Sequence, residues 1–171
     1  MLRQGKMRTA MQEFRQARDL DATSAGDVAP EVAAGIAELM RRVDSAGVDS
    51  ILPAYLEVAG WDENLAPSAE TLNSVCWWST ITGHWRPVAM ICDAAVKASP
   101  DAGYIRDSRG LNRALNGDLM GAREDFQFFV TWAKHSPLYA TQSAQRKGWI
   151  AALRAGRNPF TPQVLAHLRI E

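Results

Sequence analysis

The sequence has little cysteine and little histidine: two cysteines, Cys76 and Cys92, and three histidines, His84, His135 and His167, in 171 residues. Two cysteines are too few for a disulfide framework, and neither lies near a histidine pair at zinc-ligand spacing. The expectation is two small, buried, apolar thiols with no metal and no cofactor. Net charge is also missing, with 19 Lys+Arg against 19 Asp+Glu. That argues against a dedicated nucleic-acid binder, whose surface carries a marked basic excess. Long apolar runs are absent too: Asp93 interrupts the longest candidate, residues 88–96, well short of the roughly 20 residues that cross a membrane. The amino terminus has the charges of a secretion signal in Arg3, Lys6 and Arg8 but no apolar stretch behind them, so a cytoplasmic chain is expected. Period-two alternation never lasts long enough to predict a strand. No nucleophile elbow, phosphate loop, metal-binding helix or dinucleotide fingerprint occurs, and no enzyme is expected.

What is present is a repeat. Gly83 and Gly117 are 34 residues apart, and downstream of each, at a fixed offset, come Cys92 and Phe126, then Ala95 and Phe129. That period belongs to a helix-turn-helix unit. A first helix ends where glycine takes the left-handed conformation. A second is led by Asp118 as N-cap in one unit and by Pro87 in the first turn of the other. It ends near Ser99-Pro100-Asp101 or His135-Ser136-Pro137. Neither helix buries its apolar stripe alone, so successive hairpins must stack.

The same grammar extends over the whole chain as a single domain. Residues 1–22 read as the second helix of an incomplete repeat, 28–61 as a degenerate repeat, and 68–101 and 102–136 as repeats. Residues 138–171 read as a C-terminal capping hairpin whose last helix carries Val164, Leu165 and Leu168. The fold class is all-α, about nine helices stacked as antiparallel hairpins. Ala10, Phe14 and Ala17 should face a helix that precedes them and is not encoded, an open end through which a homodimer can form.

The residues resemble the tetratricopeptide repeat family. Arg109-Gly110, Gly117-Asp118, Ala122 and Asp125-Phe126 match its small-residue, turn-glycine, alanine and aromatic slots. The preceding unit keeps Gly83, Ala95 and Pro100 but has Val88 and Cys76 where the family prefers alanine and glycine. The resemblance covers residues 68–134. The stretch from Gly156 to Pro162 is similar to the closing hairpin of tetratricopeptide modules attached to large bacterial signalling proteins. The resemblance implies a right-handed superhelical solenoid and a regulatory or adaptor role in a bacterial signalling or defence system. It also places Asp125 and Arg109 on facing helices of one unit, as a structural ion pair.

Charge is uneven. Residues 1–20 carry a net +3, residues 140–171 a net +4, and the middle a net −7. Arg106, Arg109 and Arg113, three and four apart, form a stripe on one helix face. Pairing with Asp107, Glu124 or Asp125 is expected, with Arg106 the one left free. Cys76 and Cys92 occupy slots that meet across one hairpin, close enough to bond under oxidation, though thiols are expected in a cytoplasmic protein.

A stack of hairpins has a concave face lined by the first helix of each unit. Helical phase puts Asn73, Trp77, Thr80 and Ile81 on it beside Tyr104, Asp107, Leu111 and Ala114, with Arg106 at its edge. Trp77, Tyr104 and Leu111 supply apolar anchors, while Asn73 and Asp107 can hydrogen-bond a peptide backbone. The function expected is a protein-interaction scaffold that takes a peptide or partner helix in this groove. The alternatives are a helical-repeat RNA binder, which the acidic middle opposes, and an enzyme using His84, Asp107 or Arg106.

Overall fold

The computed structural model describes residues 68–135 and 137–170, together with helical positions at Thr9, Gln12, Glu13, Arg15, Gln16, Asp19 and Leu20. The unit at 28–61 and the open-end residues Ala10, Phe14 and Ala17, with the homodimer they suggest, lie outside the described residues. Among the described residues there are six α-helices and no strand: α1 Ala69–Ile81, α2 Ala89–Ala98, α3 Gly103–Leu115, α4 Leu119–Trp132, α5 Ala140–Arg154 and α6 Pro162–Leu168. None of them is long and apolar enough to cross a membrane.

Several of these helices start or stop for a local reason. The Ser68 hydroxyl accepts the Thr71 N–H and opens α1, and the Asp118 carboxylate accepts the Gly121 N–H at 2.9 Å and opens α4. These side chains satisfy donors that a helix N-terminus leaves without partners. Gly83, Gly117 and Gly156 have φ of 107°, 91° and 70° and close α1, α3 and α5. At all three the glycine N–H and the next N–H turn back onto helix carbonyls. Gly117 N reaches Ala114 O at 3.1 Å and Asp118 N reaches Arg113 O at 2.9 Å, and the same pair of bonds recurs at Gly83 and Gly156. This is the Schellman closure, which needs the left-handed conformation glycine adopts without strain.

Pro87 does not sit in the first turn of α2. The helix begins two residues later, at Ala89. The reason lies in the preceding turn, where the Trp85 carbonyl accepts the Asn112 amide at 2.8 Å and the Asn116 amide at 3.3 Å, and so is held away from a helical path.

Contacts fix the helix directions. Gly103 lies against Trp132, Gly110 against Phe126, and Arg113 near Asp118, so α3 and α4 are antiparallel. Tyr104 bonds Glu70 near the starts of α3 and α1, and Asn112 bonds Thr80 near their ends, so these two helices run parallel, side by side. Phe126 meets Trp149 and Phe129 meets Tyr139, which sets α5 antiparallel to α4. One core cluster runs through Ile81, Leu111, Phe126, Trp149, Leu153 and Leu168, joining α1, α3, α4, α5 and α6. On α4 the buried positions Gly121, Ala122, Asp125, Phe126 and Phe129 follow helical spacing. The fully buried phenylalanines contribute about 1.5–3 kcal/mol each by removal from water.

The cysteine expectation needs correction. Cys76 on α1 and Cys92 on α2 are joined as a disulfide with a Cα–Cα separation of 5.0 Å. Both are buried in the facing surfaces of one hairpin, at a separation that a disulfide spans without moving the backbone.

Candidate functional site

The surface of interest is built by the parallel pair α1 and α3. At its upper end the Tyr104 hydroxyl donates to Glu70 Oε1 at 2.8 Å, a pair 34 residues apart in sequence. Burial, reinforced by the Glu70 hydrogen bond and charge, raises the Tyr104 pKa above its ordinary value. The Tyr104 ring also packs at 5.9 Å from Trp132. Below it, Asn73 is half-buried and its side-chain oxygen lacks a hydrogen-bond partner. Trp77 is half-buried and packs against the core cluster.

Several residues expected on this face have gone inside. Thr80, Ile81, Leu111 and Ala114 are fully buried, and Asp107 is 6% exposed. Thr80 accepts the Asn112 amide at 3.0 Å, which ties α1 to α3. Asp107 takes Arg146 of α5 through Nε at 2.9 Å and NH2 at 2.7 Å, and the Arg146 guanidinium lies 4.3 Å from the Trp149 ring centroid. A carboxylate so engaged holds two helices together and is not offered to a ligand. Of the predicted residues, Asn73, Trp77, Tyr104 and Arg106 keep exposed surface.

Arg106 is not free. Its Nε donates to the Pro100 carbonyl at 2.9 Å, its guanidinium lies 4.1 Å over the Phe128 ring, and NH1 is 3.8 Å from Asp125. The stripe converges on Asp125, which is 1% exposed. Arg109 grips it with both Nε (2.8 Å) and NH2 (2.7 Å), and Arg113 adds NH1 at 3.1 Å. Asp93 of α2 takes the outer side of Arg109 at 3.2 Å. Burial acts to lower the Arg109 pKa, but the hydrogen bond and charge of Asp125, with Asp93 behind them, outweigh it and hold the guanidinium above its ordinary value. The Arg109–Asp125 pair that the resemblance implied is present. Asp107 and Glu124 play no part in it among these bonds, and Asp93 was not anticipated.

The lower end of the face is covered by the chain itself. Leu168 of α6, 2% exposed, joins Ile81 and Leu111 in the core cluster, with Val164 and Leu165 packed alongside. Arg169 donates to the Ile81 carbonyl through Nε at 3.0 Å and NH2 at 2.9 Å. The Asn158 amide reaches the Ala114 carbonyl of α3 at 2.7 Å. The stripe of Val164, Leu165 and Leu168 announced a buried helix but not its destination, and nothing in the sequence pointed to Arg169.

Among the described residues no three His, Cys, Asp or Glu side chains come together to hold a metal ion. Compared with protein-family models, curated proteins and solved structures, the chain matches none.

Proposed function

We propose that this chain is a protein-interaction module, a tetratricopeptide-like right-handed superhelical stack of helix hairpins whose first helices present a face to a peptide or helix of a partner protein. The observation that carries the reading is that this face already receives a helix. Leu168 of α6 shares one buried cluster with Ile81 of α1 and Leu111 of α3, and Arg169 just beyond it bonds the Ile81 carbonyl. The parallel course of α1 and α3, with Glu70 bonded to Tyr104 at the repeat distance of 34, supports the stacked arrangement. Pre-formed helices keep the ordering cost of binding low. An adaptor role in a bacterial regulatory or defence system completes the proposal.

The test is capture of a partner by the intact chain and by a Trp77→Ala variant, with circular dichroism showing that both are equally helical. Trp77 is half-buried against the core cluster, so the helicity control separates a lost contact from a lost fold. Capture by the intact chain alone supports the reading. Equal capture by both moves the site off this face.

A further inference from the structure

The last unit of the chain is basic without compensation. Residues 126–170 contain six Lys and Arg and no Asp or Glu. Among the described residues α5 makes one ion pair, Arg146 with Asp107, and it is buried. Buried Arg146, Trp149, Ile150 and Leu153 mark the side of α5 that faces inward. Ala144, Lys147, Gly148, Ala151 and Arg154, with Ala155 at the C-cap, are exposed and fall on the opposite side at helical spacing. Their order recurs every seven residues: Ala144 with Ala151, Lys147 with Arg154, Gly148 with Ala155. The result is a band with nothing larger than a methyl group, edged on one side by two cations about 10.5 Å apart along the axis.

The fold itself accounts for part of this. Arg154 complements the negative end of the α5 dipole, but that effect fades within the last turn, and Lys147 lies two turns before it. The alanines are the best of helix formers and need no further reason. Gly148 does need one. It sits inside α5, exposed, where glycine weakens a helix; its φ is not positive, and a Cβ there would meet nothing within 4 Å. No atom of this chain requires the missing side chain, whereas the backbone of a second helix approaching closely would. We propose that this side of α5 docks an acidic helix of a partner protein, which lays small residues on the band from Ala144 to Ala155 and sets carboxylates seven residues apart opposite Lys147 and Arg154. A seven-residue recurrence is what one helix follows along another, and opposite charges across the contact fix its register. Nucleic acid fits less well, because the exposed side of α5 carries no aromatic ring to stack a base. This surface lies across α5 from the core cluster, and the proposal goes beyond the reading of the α1–α3 face without needing it.

The experiment is a fluorescence-anisotropy titration of the full chain against two labelled alanine-rich helical peptides, one with glutamate and one with glutamine at every seventh position. The glutamate peptide should bind about tenfold more tightly, and Lys147→Glu should remove that advantage. Lys97→Glu, the same charge change at an exposed site on α2, should leave it in place. Gly148→Ala should melt no lower than the parent and yet bind the glutamate peptide about threefold more weakly, because the added methyl group stands between the helices. Weaker binding by a chain that is not less stable is a result that a purely structural role for Gly148 does not produce. Equal affinity for the two peptides, no binding of either, equal losses for Lys97→Glu and Lys147→Glu, or unchanged binding by Gly148→Ala overturns the proposal. So does tighter, Lys147-dependent binding of a single-stranded oligonucleotide, which would make nucleic acid the occupant. A dimer of the intact chain that Lys147→Glu dissolves, seen by light scattering, overturns it in favour of a second copy. Neither peptide is aimed at Trp77, so this proposal and the α1–α3 reading fail separately.

Discussion

Gly103 is the first residue of α3, and a Cβ there would lie 2.6 Å from Trp132 Cγ. The indole cannot retreat freely, because it packs at 4.9 Å from Tyr139, 6.0 Å from Phe129 and 5.9 Å from Tyr104. Gly110 has the same role one level down, with Phe126 Cε1 at 3.0 Å from the position a Cβ would take. Gly148 differs: it lies within α5, exposed, with nothing within 4 Å. Gly103→Ala should therefore destabilise the fold by about 1–3 kcal/mol through overpacking and shift the tryptophan emission. Gly148→Ala should stabilise it by up to about 1 kcal/mol, because alanine loses less backbone entropy in a helix. Urea melts of the two variants beside the parent check this. Movement of both midpoints in the same direction would show that close approach to Trp132 is not what keeps residue 103 a glycine.

α1 and α2 are joined covalently by the Cys76–Cys92 bond across 16 residues. A loop of that length is worth about 3 kcal/mol in the chain-entropy account, through restriction of the unfolded chain. Reductant should lower the Tm of the parent and leave a Cys76→Ala/Cys92→Ala chain unmoved, with the reduced parent melting near the double variant. A parent insensitive to reductant would mean that the thiols expected of a cytoplasmic protein are already free. Legibility in the sequence also divides along element lines. The closures at Gly83 and Gly117 and the Asp118 cap could be read in advance, because each answers a need local to a few residues. The start of α2 could not, since it is set by Asn112 and Asn116 reaching in from α3 to the Trp85 carbonyl. The expected face was half legible for the same reason. Helical phase gave the side of α1 and α3 on which Trp77 and Leu111 lie. It did not reveal that Arg146 of α5 would draw Asp107 inward or that α6 would cover Ile81.

At the scale of the whole molecule, a stack in which each hairpin touches only its neighbours unfolds from its ends, and a change at one end is felt weakly at the other. In this chain Arg169 bonds the Ile81 carbonyl across 88 residues of sequence, so the segment that follows α6 braces the end of α1. Its guanidinium holds a helix end whose Thr82, Gly83 and His84 amides bond back onto Trp78, Thr80 and Ser79. Loss of a charged hydrogen-bond donor costs about 1.5–3 kcal/mol in sheltered sites, and about 1 kcal/mol is expected for an arginine as exposed as this one. Arg169→Ala should therefore speed hydrogen exchange by about fivefold at those three amides as well as within α6, because local opening there no longer has to break the brace. Acceleration confined to residues 161–170 would mean that α6 rests on α1 without supporting it. Acceleration shared by α1 would place α1 and α6 in one cooperative unit, closed by a seven-residue helix.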